Sequence, residues 1–129
     1  MKLFKILCIS VCILFCVSQG YAQSKKSNVP DVLSGKEFIL EQDPNVMIGF
    51  HKGGVYGYAF INTYIGRYEL KSDKSIRLSY MLSTKVSGSK ADEDKEYDYF
   101  DILEKSKNYK YDKNLGKLSI GKMVFIEKK

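Results

Sequence analysis

The stretch GYAFINTYIGRY, residues 57–68, decides how this chain is read. It is rich in glycine and tyrosine and carries no group suited to acid, base or nucleophilic chemistry. Two roles compete for it: an aromatic-lined binding surface or a structural corner. Tyrosine joins a large apolar face to a polar tip, which suits interfaces and half-buried sheet packing alike. Tyr56 and Tyr58 share a strand face and Tyr64 lies just past its end, so these three are the candidate ligand or partner surface. The corner is the stronger reading. Gly57 and Gly66 stand where crowding or a bend excludes a Cβ, and Asn62 suits a left-handed turn between them.

Short β-runs separated by turn chemistry extend on both sides of this stretch. EFILE (37–41) leads to a turn at Asp43-Pro44, then VMIGFHK (45–52, with Asn45 leading) runs to Gly53-Gly54. Two adjacent glycines can both take positive φ, as a type I′ hairpin turn requires. VYGYAF (55–60) alternates, with Tyr56, Tyr58 and Phe60 on one face and Val55, Gly57 and Ala59 on the other. GRYEL and SIRLSYML flank a turn at Ser72-Asp73-Lys74, and Ile76, Leu78, Tyr80 and Leu82 are expected on one side. YKYD, KLSI and MVFIE, parted by turns at Asn114/Gly116 and Gly121, supply three more strands.

Residues 89–107 break the alternation. Tyr97, Phe100 and Leu103 recur at helical spacing beside Ile102. Asp92, Glu93, Asp94 and Glu96 crowd the start and Lys105 and Lys107 the end, which favours a helix dipole. Ser89 with Asp92 forms a candidate capping box, and the acidic cluster reads as a solvated first turn rather than a calcium loop. The fold class is therefore mainly β with one helix (α+β). The expectation is a small antiparallel barrel or strongly curled sheet, its helix between the later strands.

The first residues are a targeting segment. Lys2 and Lys5 precede a short apolar run, and Gly20 and Ala22 satisfy a signal peptidase, so residues 1–22 read as a cleavable signal peptide. The run is too short for a permanent membrane span. Residues 23–32 read as a flexible polar leader and 33–129 as one domain. The three cysteines, Cys8, Cys12 and Cys16, all lie in the signal and lack the small residues that precede a lipid-attachment cysteine. The mature chain is thus expected to have no disulfide, thiol nucleophile or thiolate metal site. The formal net charge of +6 is spread along the chain without a basic run, which argues against nucleic acid as a partner.

Catalytic chemistry is hard to assemble. His51 is the only histidine and sits beside a glycine turn, where exposure at a hairpin tip is its expected fate. No serine triad, nucleophile elbow or phosphate-cradling loop is present. A hydrolytic enzyme would need carboxylates such as Glu69 or Asp98 converging in a cleft. The expected catalytic, cofactor and metal residues are accordingly none.

The order of motifs resembles the META domain family, the HslJ-like heat-shock and envelope proteins. Leu33-Ser34-Gly35 runs into EFIL as the family's opening does. Gly57, Asn62, Tyr64, Gly66 and Tyr68 match a signature of the form G–x–x–G–C–N–x–Y–x–G–x–Y. Ser83 and Thr84 open the second signature, S–T–x–M–x–C. Phe60 replaces a small residue, and Ile61 and Gly88 stand where the two family cysteines fall. Their joint absence implies that the two positions are neighbours. The resemblance implies a calycin-like β-structure and an exported, periplasmic or extracellular location in the bacterial envelope, with no established reaction. On that basis the chain is expected to be a non-enzymatic domain with a binding or stress-related role. Its partner would be an envelope protein, or alternatively a small apolar ligand held inside the barrel.

Overall fold

The computed structural model describes residues 29–72 and 74–129. The expected signal peptide, most of the leader and Asp73 of the Ser72–Lys74 turn lie outside the described residues. Eight strands follow in order: β1 (Lys36–Leu40), β2 (Val46–His51), β3 (Gly54–Ala59), β4 (Asn62–Leu70), β5 (Ile76–Ser83), β6 (Tyr109–Asp112), β7 (Lys117–Ile120) and β8 (Met123–Glu127). The helix α1 (Lys90–Lys105) stands between β5 and β6. The strands form one antiparallel sheet in the order β5-β4-β3-β2-β1-β8-β7-β6.

The sheet curls into a half-barrel. Its two edge strands meet at one end, where Ser75 bridges Asn108 and the Ile76 N–H donates to the Lys107 carbonyl at 2.9 Å. The fold is thus mainly β with one helix, as the alternation and the single helical segment require. The β2–β3 hairpin turns on Lys52 (φ 44°) and Gly53 (φ 83°), one residue earlier than the Gly53-Gly54 expected. Gly54 is already in β3, paired with His51.

The inward positions fill the curl. Phe38, Ile48, Phe50, Leu103, Leu118 and Phe125 are each 0 % exposed. Phe38 meets Phe50 edge-on at 6.0 Å, and Phe50 meets Tyr68 at 5.0 Å. Such offset contacts between rings each add to the apolar burial about 0.5–1.5 kcal/mol. The folded unit also begins before Leu33. Val29 packs on the core, and Asp31 accepts the N–H groups of Leu33 (3.2 Å) and Ser34 (3.1 Å) and the Tyr68 hydroxyl at 2.5 Å.

Helix α1 starts at the expected cap: the Ser89 Oγ accepts the Asp92 N–H at 3.2 Å. It is Glu93, not Asp92, that reaches back, taking the Gly88 N–H at 3.3 Å. The buried stripe is Glu96, Tyr99 and Leu103, while Tyr97 is 72 % exposed. A helix of roughly 3.6 residues per turn keeps positions i, i+3 and i+7 on one face and carries i+6 away from it. The stripe anchored on Leu103 therefore runs back through Tyr99 to Glu96 and not to Tyr97. Glu96 is consequently no part of a solvated first turn.

Candidate functional site

The signature stretch is built around buried Asn62. Its amide nitrogen donates to Glu96 Oε1 at 2.6 Å and to the Val86 carbonyl at 3.2 Å. Its amide oxygen accepts from the Thr84 hydroxyl and the Val86 N–H, both at 2.8 Å. All four hydrogen-bonding places of the side chain are used. Glu96 Oε2 also takes the backbone N–H groups of Ile61 (3.0 Å) and Asn62 (2.9 Å). One carboxylate thus ties the helix to the β3–β4 turn. It is occupied by donors from the fold itself, which suits it to holding the corner rather than to moving protons.

The turn differs from the one expected. Asn62 is the first residue of β4, and the positive φ belongs to Phe60 (47°). The Ile61 N–H bonds back to the Ala59 carbonyl across Phe60, a γ-turn that seldom occurs with this sign of φ. The two glycines act through space. A methyl group at Gly57 would collide with the Met47 carbonyl and lie 2.8 Å from the Tyr64 hydroxyl. One at Gly66 would run into the Met81 sulfur and lie 3.1 Å from a Val55 methyl.

The three candidate tyrosines part company. Tyr64 points inward and is 2 % exposed. Its hydroxyl donates to the Met47 carbonyl at 3.0 Å, so the 2.6 Å contact with Tyr99 must have Tyr99 as donor. Burial raises both phenols well above their usual range. Tyr56 and Tyr58 point outward. The Tyr56 ring crosses Gly49, where a Cβ would lie 2.6 Å from a ring carbon, and its hydroxyl donates to Glu37 at 3.0 Å. Tyr58 is 39 % exposed.

Around these two the outer face of β3, β4 and β5 carries an apolar patch. Tyr56 pairs with Ile65 and Ile65 with Leu82 in one row across three strands. Ile65, Leu82 and Tyr80 are 61 %, 67 % and 77 % exposed. Strict alternation had placed Tyr80 and Leu82 inside with Ile76 and Leu78. A β-bulge overturns this: two β5 residues, Tyr80 and Met81, oppose the single Gly66 of β4. Tyr80 takes φ 54°, and beyond it the phase reverses. Met81 turns in beside Gly66, and Tyr80 and Leu82 turn out. A glycine within a strand is the one sequence signal for such a bulge.

The two candidate carboxylates, Glu69 and Asp98, do not converge. His51 stands exposed at its hairpin tip. Glu69 and Asp98 line different grooves, Glu69 beside Arg77 and Asp98 beside Lys95 and Ile102. Among the described residues no group of three or more His, Cys, Asp or Glu is placed to hold a metal ion. Ile61 and Gly88 are neighbours, since a Cβ at Gly88 would lie 2.9 Å from Ile61 Cγ1.

Neither a search of curated proteins nor one of solved structures gives a match. The model of the META domain matches residues 26–125, a span that holds the Asn62 corner, the bulge and the helix. With that match over most of its length, the chain belongs to the META domain family.

Proposed function

We propose that the chain is an exported, non-enzymatic binding domain of the cell envelope, with a stress-related or supporting role. Its partner surface is the outer face of β3–β5. The observation that carries this is the outward-facing group of Tyr58, Ile65, Tyr80 and Leu82 on three adjacent strands, each at least 39 % exposed. Contiguous exposed apolar groups mark interaction sites far more often than scattered ones do. Export rests on the charged start, apolar run and small residues of positions 1–22.

Binding of a small apolar ligand inside the barrel is the competing reading and needs a hollow interior. Phe38, Phe50 and Phe125, which would line that hollow, are closed against other side chains, and this favours the surface. The test is a photo-crosslinker at Ile65, with a second at exposed Leu115 as a control for stickiness. A discrete envelope-protein adduct from position 65 alone is expected, on a chain that begins at Gln23. Equal labelling from both positions sinks the proposal, and an adduct of doubled chain mass replaces the envelope partner by a second copy.

A further inference from the structure

Beside the apolar patch, between the β2–β3 hairpin and the bulged β4–β5 pair, lies an open cleft of about 730 Å³. Its lining includes His51, Lys52, Arg67, Arg77 and Tyr80, with Glu69 as its one carboxylate. Of the 21 lysines and arginines only Arg67 and Arg77 are arginine, and the histidine is single. All three of these rare groups line this one cleft. The register brings them together: His51 pairs with Gly54, Gly54 with Arg67, and Arg67 with Ser79, while Arg77 pairs with Glu69 one step along.

Lysine alone would serve for solubility. Arginine differs in presenting a planar fork that grips an oxyanion through two parallel hydrogen bonds. The ion pairs among the described residues all use lysines (Lys36, Lys90, Lys105 and Lys117), and neither arginine forms one. Arg67 instead rests over the Tyr80 ring, its guanidinium carbon 5.9 Å from the centroid. Tyr80 reaches that place through its left-handed backbone, φ 54°. A tyrosine there is strained by on the order of 1 kcal/mol relative to glycine. The bulge therefore spends stability to hold an aromatic platform under an unpaired guanidinium. Gly53, Gly54 and Gly66 add backbone without side chains to the wall.

From these groups we infer that the cleft binds the phosphate of a phosphomonoester. Lys52, Arg67 and Arg77 against Glu69 leave an excess of positive charge, which suits a group carrying about −1.5 to −2 at neutral pH. The phosphate sits between the two guanidinium groups, and an organic substituent has the Tyr80 ring to lie on. The source is either a soluble phosphate ester or a lipid headgroup of the same chemistry.

The test uses the protein as recovered from an exporting host. Phenyl phosphate is titrated at fixed ionic strength while amide and arginine side-chain resonances are followed. Vesicles of phosphatidylcholine with and without phosphatidate form the second arm. Saturable shifts at Gly53, Gly54, Gly66 and both arginines are expected. The R67Q/R77Q variant, whose changes lie on exposed outward positions, is expected to raise the Kd at least tenfold with the remaining spectrum unchanged. K110Q/K113Q removes equal charge outside the cleft and is expected to leave the Kd as it was. Binding to phosphatidate vesicles alone makes the headgroup the source; binding of phenyl phosphate makes it a soluble ester. Unsaturable shifts together with indifference to phosphatidate, or equal losses in both variants, overturn the inference. Ile65, which tests the partner surface, lies outside the cleft, so the two proposals fail separately.

Discussion

At the residue scale the fold turns on one acidic side chain facing one amide. Glu96 is 8 % exposed and collects three N–H donors from Ile61 and Asn62. Removing it strands the two Asn62 donors where water reaches poorly, while the Ile61 N–H keeps the Ala59 carbonyl. A buried donor without a partner costs its full desolvation. Glu96→Ala is therefore expected to destabilise by about 3–5 kcal/mol, read as a lower urea midpoint at unchanged slope. Glu96→Gln keeps one acceptor oxygen but turns an NH₂ group toward an N–H, so an intermediate loss of about 2 kcal/mol is expected. Asp98→Ala, on the exposed side of the same helix, should stay within about 0.5 kcal/mol of the parent. A Glu96→Gln protein as stable as the parent would show that the corner does not depend on this carboxylate.

At the element scale the sequence was most legible where one local rule acts alone. The strand runs and the Ser89 cap follow from alternation and a side-chain acceptor, and the β2–β3 hairpin falls within one residue of its expected place, its turn on Lys52-Gly53. The departures arise where a tertiary contact chooses between local options. Tyr80 and Leu82 obey alternation until the bulge opposite Gly66, and only the bare space at that glycine hints at it. Tyr97 stands one turn from Phe100, but only Tyr99 and Glu96 share the face of Leu103. The donors at Asn62 satisfy the Glu96 carboxylate buried there. An acidic residue gives no sign in sequence that it will be buried, so half of the corner was invisible. The outer patch was half legible for the same reason, Tyr56 and Tyr58 being found by alternation and Ile65, Tyr80 and Leu82 not. The neighbouring positions 61 and 88 carry a direct prediction. The contact between Ile61 and Gly88 is close enough for a disulfide, whose Cβ atoms lie about 3.5–4.5 Å apart. Ile61→Cys with Gly88→Cys is expected to oxidise quantitatively and to gain about 3 kcal/mol over its reduced form. Free thiols persisting under oxidant would refute the pairing.

At the scale of the whole molecule, a chain whose cysteines all precede residue 17 must be joined by other means, and tyrosine hydroxyls do much of it. Tyr68 ties the β4 strand to Asp31 at the start of the folded unit. Tyr111 ties β6 to Glu127 of β8. Tyr99 and Tyr64 join the helix to the sheet. Burial first, and the carboxylates second, push Tyr68 and Tyr111 up to about 12, and burial carries Tyr64 and Tyr99 above the ordinary phenol range too. Each folded-state value lies above that of the unfolded chain, about 10. The fold therefore holds protons that the unfolded chain has already released. Their contribution is complete below pH 10 and drains away as pH rises through 12 for Tyr68 and Tyr111, and higher still for the buried pair. Urea midpoints are expected to change little from these groups up to pH 10 and then to fall steeply. Tyr68→Phe removes one such proton, so its stability should start lower for want of the Asp31 bond. Between pH 10 and 12 it should decline less steeply, by up to about 1.4 kcal/mol per pH unit. Tyrosinate absorbance followed through the same range separates titration within the fold from unfolding. A Tyr68→Phe slope equal to the parent's would mean that this phenol is not held protonated by the fold, and that the alkaline loss belongs to Tyr111 and the Tyr64–Tyr99 junction.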